Sequence, residues 1–75
     1  MSHNQYIERN PEIMLGKPII KGTRITVELL MRKLAGGYTL TDLLTSYPNL
    51  TKEHILASLE YAADIIANEE SLENV

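Results

Sequence analysis

Gly16 to Val27 reads G-K-P-I-I-K-G-T-R-I-T-V, and the reading of this stretch decides the fold. Pro18 sets an extended entry, Gly16 and Gly22 permit a turn or a close backbone approach, and Thr26 offers a hydroxyl to cap a helix. A stiff extended arm therefore runs directly into a helix. Gly16, Pro18, Gly22 and Thr23 are the structural residues of that arm. Lys17, Lys21 and Arg24 sit among them, so the arm holds three cations on a fixed frame suited to an anion or a partner.

Toward the N-terminus, Tyr6 and Ile7, the turn signal Asn10-Pro11 and the run Ile13 to Leu15 extend the arm over residues 1–25 as short strands or a β-hairpin. Toward the C-terminus, Val27, Leu30, Met31 and Leu34 recur at helical spacing up to about Ala35, and Gly36-Gly37 ends that helix. Thr39 with Asp42 forms a capping box in which aspartate replaces the usual Glu or Gln, ahead of Leu40, Leu43, Leu44 and Tyr47. Pro48 breaks the chain, and Thr51 caps a third helix whose expected core stripe is Ile55, Leu59, Ala62, Ala63 and Ile66. That helix is expected to end before Glu69, leaving a flexible tail over 69–75.

Three such stripes bury each other in a tri-helical bundle over 26–68, mainly α, of the helix-turn-helix kind. The connection Tyr47-Pro48-Asn49-Leu50 is longer than a strict helix-turn-helix turn. A chain of 75 residues forms one small domain that hides only about 60% of its unfolded surface, so a helper such as dimerisation is expected.

Composition narrows the chemistry. There is no cysteine, hence no disulfide framework and no thiolate metal site, and His3 and His54 are lone histidines, read as surface residues and not as zinc ligands. No apolar run approaches the ~20 residues that span a bilayer, and the start has no apolar signal region, so a cytoplasmic protein is expected. Gly16-Lys17 and Gly22-Thr23 stand in the wrong order for a phosphate loop, Glu69-Glu70 lack a pocket to raise a pKa, and Ser46 with His54 lacks an oxyanion site. No catalytic residue, cofactor or metal is expected, and the chain reads as a binding protein and not an enzyme.

Net charge is -3, but it is divided. Residues 1–37 hold six cations against three carboxylates, a net +3; residues 38–75 hold Lys52 against seven carboxylates, a net -6. The basic half suits nucleic acid and the acidic half a basic protein. On the third helix Glu53, Glu60 and Asp64 face outward and oppose phosphates, so only Thr51 and Lys52 at its N-terminus fit a DNA backbone. Beside those acids, Ala57, Tyr61 and Ile65 form a second apolar row, read as a subunit or partner interface.

The string G-K-P-x-I-x-G-T-R-I-x-V, the helix after it, Gly37, the short helix, Tyr47-Pro48, Leu50-Thr51 and a last helix with Ala57 and Tyr61-Ala62 closely resemble the domain of unknown function 433 family, over roughly residues 5–65. The resemblance implies a homeodomain-like tri-helical protein and, for many members, an antitoxin of the VapBC type encoded beside a PIN-like ribonuclease toxin. Two positions depart from the family pattern. Thr26 stands where proline is frequent, and Leu15 where a second glycine is frequent.

Two functions from different classes follow. As an antitoxin, a homodimer would neutralise the PIN-like ribonuclease through Ala57, Glu60, Tyr61, Asp64 and Ile65. It would bind operator DNA through Lys17, Lys21 and Arg24, supported by Arg32 and Lys33. As a stand-alone regulator, the third helix would enter the major groove, with Thr51, Lys52 and Glu53 reading or anchoring it. A structural adaptor dimer is a further alternative, in which the arm joins subunits and Arg24 is a buried salt-bridge residue.

Overall fold

The computed structural model describes residues 5–73, with side chains as far as Asn68. His3, the side chains of Glu69 and Glu70, and the end of the tail therefore lie outside the described residues. Strand β1 (Ile7–Glu8) pairs antiparallel with β2 (Ile19–Ile20), Ile7 opposite Ile20 and Glu8 opposite Ile19. Three helices follow: α1 (Val27–Ala35), α2 (Leu40–Ser46) and α3 (Lys52–Glu73). The fold is a small helical bundle with a two-stranded N-terminal arm, as the sequence implied.

The arm is built by short-range hydrogen bonds. Gly22, with φ 77°, occupies a turn closed by Thr23 N–H donating to Ile20 O at 3.0 Å. The Thr23 hydroxyl donates to the same carbonyl at 2.8 Å and accepts from Ile25 N–H at 3.0 Å. The chain thus doubles back so that Ile20 N–H reaches Ile25 O (2.9 Å) and Val27 N–H reaches Pro18 O (3.0 Å), which fastens the first residue of α1 to the arm. Thr26 caps α1 by accepting from Leu29 N–H at 3.0 Å. Threonine thus starts α1 through its side chain, as an N-cap residue does.

The Thr39–Asp42 capping box forms as expected, Asp42 Oδ2 accepting from Thr39 N–H at 2.8 Å and Thr39 Oγ1 from Asp42 N–H at 3.1 Å. At α3 the reciprocal partner of Thr51 is a histidine. His54 Nδ1 accepts from Thr51 N–H at 3.0 Å, and Thr51 Oγ1 accepts from His54 N–H at 3.3 Å. His54 therefore has a capping role, and its ring also meets Tyr6 edge-on at 5.4 Å.

The core joins Ile7, Ile19 and Ile20 of the arm to Val27 and Leu30 of α1, Leu43 of α2, Leu50, and Ile55 and Ala57 of α3. Here α3 departs from expectation. Ile55 is buried, but Leu59, Ala63 and Ile66 are exposed, and Ala57 and Ser58 are fully buried in their place. The reason is steric and polar together. Two small residues let α3 approach α1 and the arm closely, the Ser58 hydroxyl satisfies itself on His54 O at 2.9 Å, and Tyr61 accepts a 2.9 Å hydrogen bond from Arg9 Nε. The helix also runs to Glu73, past the end expected before Glu69.

Candidate functional site

Two surfaces stand out. The first is a cleft of about 260 Å³ between the arm and α1, lined by Met14, Lys17, Arg24, Thr26, Glu28, Leu29 and Arg32. The arm's backbone bonds fix where Lys17 and Arg24 leave the chain, while Glu28 and Arg32 are one helical turn apart on the exposed face of α1. Lys17 Nζ meets Glu28 Oε1 at 2.9 Å and Arg32 Nε meets Glu28 Oε2 at 3.1 Å. The hydrogen bond from Lys17, then that from Arg32, holds the Glu28 carboxyl below its ordinary range.

One carboxylate thus faces three cations, and the cleft carries a net +2. Arg24 is exposed in the single chain and has no ion pair among the described residues. Lys21, at the tip of the turn, is likewise exposed.

The remaining expected nucleic-acid residues lie apart from this cleft. Lys33 is drawn to the far end of α1, its ammonium 4.8 Å from the centre of the Tyr38 ring. Thr51 uses its hydroxyl in the α3 cap, and Lys52 is exposed beside it. Neither residue lines the cleft, so the structure gathers Lys17, Arg24 and Arg32 and leaves Lys33, Thr51 and Lys52 elsewhere.

The cleft is bordered by an unusual turn. Met14, Leu15 and Gly16 all have positive φ (50°, 58° and 78°), and Leu15 is 93% exposed. Gly16 N–H donating to Ile13 O (3.1 Å) and Lys17 N–H to Met14 O (3.1 Å) hold the turn. Leu15 at φ 58° holds a conformation that glycine, and not leucine, adopts without steric cost. Sequence reasoning passed over Met14, Leu15, Glu28 and Leu29 as site residues. The i, i+4 spacing of Glu28 and Arg32 and the missing glycine were the available signals.

The second surface is the outer face of α3. Leu56, Leu59, Ala63 and Ile66, at i, i+3, i+7 and i+10, form an exposed apolar stripe, with Leu56 at 41%, Leu59 at 44% and Ile66 at 54% exposure. Every residue from Ala63 to Asn68 is exposed, so this half of the helix extends beyond the bundle. The interface expected at Ala57, Glu60, Tyr61, Asp64 and Ile65 is corrected in part. Ala57 is core and cannot meet a partner, Tyr61 is half-buried under Arg9, and Ile65 alone of that apolar row is exposed. Glu60 is half-buried and Asp64 exposed, and both already have a partner.

The family model for proteins of unknown function named DUF433 matches residues 7–62, which contain the arm, the turn and all but the projecting part of α3. The chain belongs to the DUF433 family. The crystal structure of a DUF433 member from Anabaena variabilis superimposes with a TM-score of 0.77 at 31% identity, covering 91% of this chain and 64% of that one. An uncharacterised protein, y4eO, from Sinorhizobium fredii is 29% identical over 58 residues, which are 77% of this chain and 26% of that protein. This DUF433 chain thus spans under two thirds of either relative. No helix among its described residues is long and apolar enough to cross a membrane.

Proposed function

We propose that this DUF433 protein is a non-enzymatic antitoxin with two binding surfaces, one that neutralises a PIN-like ribonuclease and one that holds operator DNA. The observation that carries the reading is the uncovered apolar stripe Leu56–Leu59–Ala63–Ile66 on a helix that projects from its own bundle. Side chains at this spacing form the seam of a helix that packs on another protein surface. Acidic residues along the same helix, Glu53 among them, suit a nuclease whose substrate groove is basic. The antitoxin role itself rests on the family resemblance, and the stripe supplies the surface it needs.

The cleft formed by Lys17, Arg24 and Arg32 supports the DNA half, since an exposed arginine with no ion pair among the described residues, on a hydrogen-bonded hairpin, is poised for phosphate. That cleft also favours the second reading, a regulator that binds DNA with no toxin at all. In that case the arm and not α3 makes the contact, because the exposed face of α3 offers leucine, isoleucine and carboxylates to the groove. Co-expression with a PIN-like nuclease of the proposed partner class separates the two. The antitoxin reading expects a stoichiometric complex on a sizing column and loss of ribonuclease activity. A nuclease that elutes alone and stays active removes that reading and leaves the regulator.

A further inference from the structure

We propose that Leu15 is a wedge that enters the minor groove of duplex DNA and partly unstacks a base step while Lys17, Arg24 and Arg32 hold the flanking phosphates. The inference rests on the DNA half of the proposed function and assigns it a mode of contact. Two unfavourable choices meet at this one residue. A leucine occupies a left-handed backbone position, and its side chain is 93% exposed. Met14 before it is left-handed too, so the turn bends in a sense that costs an ordinary side chain at two successive positions.

The turn is nonetheless tightly held. Asn10 Oδ1 accepts from Glu12 N–H at 2.9 Å, Ile13 N–H donates to Asn10 O at 2.9 Å, and the carbonyls of Ile13 and Met14 accept from Gly16 and Lys17. Leu15 is therefore fixed in its outward position. A bulky side chain held in strain and aimed at solvent is the geometry found where a contact with a partner offsets the cost.

The surroundings select the partner. Lys17 is two residues away and reaches the same cleft that Met14 lines, together with Arg24 and Arg32. The one carboxylate there, Glu28, has both oxygens engaged by cations. An apolar tip on the turn that borders a cationic cleft fits an apolar slot bordered by anions, and a base step between two phosphate strands is such a slot. Leucine and methionine are among the residues that architectural proteins insert at base steps, with arginine and lysine alongside. A protein pocket with an acidic rim is the competing occupant.

A 30-base-pair duplex with an A·T-rich centre, 2-aminopurine at one central step and a dye pair at its ends provides the test, in 100 mM NaCl. Wild type should bind, raise 2-aminopurine fluorescence and bring the ends closer. Leu15→Gly should fold, with unchanged circular dichroism, yet bind about tenfold more weakly and lose both signals. Arg24→Ala should lower the salt slope by about one. If Leu15→Gly binds and bends the duplex as wild type does, the wedge is wrong while the DNA reading stands. If wild type binds no duplex, the DNA reading fails and the wedge with it. Loss of nuclease inhibition in Leu15→Gly with unchanged DNA binding would assign the tip to a protein pocket and also overturn the wedge.

Discussion

Glu28 gives one oxygen to Lys17 and the other to Arg32, so it restrains two of the three cations in the cleft. Removing its charge should release them. Glu28→Gln is expected to tighten duplex binding several-fold and to steepen the dependence of log K on log salt by about one, as anisotropy titrations between 50 and 200 mM NaCl would show. The opposite change, weaker binding, would mean that Glu28 orients the cations for their ligand. The same residue and Asp42 also link stability to pH. Asp42 is held below its ordinary value by the Thr39 backbone N–H and then by the Thr39 side chain. Folded-state values depressed in this way contribute stability that is complete above the unfolded-state pKa and is lost as pH falls through the folded-state pKa. The melting temperature should therefore drop as pH is lowered through and below the carboxylate range. Asp42→Asn, which keeps an acceptor for Thr39 N–H but does not titrate, should flatten part of that drop. At Leu15 the expected effect has the reverse sign for stability and function. Glycine relieves about 1–2 kcal/mol of left-handed strain and adds about 0.4–1 kcal/mol of unfolded-state entropy, so Leu15→Gly should melt no lower than wild type.

At the scale of elements, the strand pairing of the arm, α1 and α2 were legible because chemistry that acts locally marks their boundaries, whereas the run Ile13 to Leu15, expected as extended, turns through positive φ at Met14 and Leu15. Thr26, Gly37 and the Thr39–Asp42 box do in the structure what their residue types allow. The phase of α3 was not legible, since the helix carries apolar residues on more than one face and periodicity does not say which face meets the bundle. Ala57 and Ser58 decide it by permitting close approach, a consequence of tertiary packing that no local rule contains. Substitutions expose the difference. Ala57→Leu inserts volume into a filled core and should destabilise by about 1–3 kcal/mol, or several degrees of melting temperature in a domain this small. Leu59→Gln, on the outer stripe, should change stability by less than about 0.5 kcal/mol. Equal losses at both positions would mean that α3 is turned about its axis relative to the structure described.

The whole molecule keeps its two chemistries on different elements. Cations gather on the arm and α1, whereas the apolar stripe belongs to α3, which is roughly 33 Å long. The charge division of the sequence anticipated this arrangement in outline. The apolar row on the outside of α3 is not the one its spacing suggests: Leu59, Ala63 and Ile66, expected in the core, are exposed, and Ala57 is buried. The proposed antitoxin role requires this stripe to be the surface that neutralises a nuclease. Titration of a PIN-like ribonuclease of the proposed partner class, cleaving a fluorogenic RNA, with wild type and with the Leu59→Gln/Ile66→Gln double variant tests this. Wild type should inhibit stoichiometrically, with a loss of at least about tenfold in the double variant and no change in its melting temperature. Equal inhibition by both proteins, or none by wild type, would contradict it.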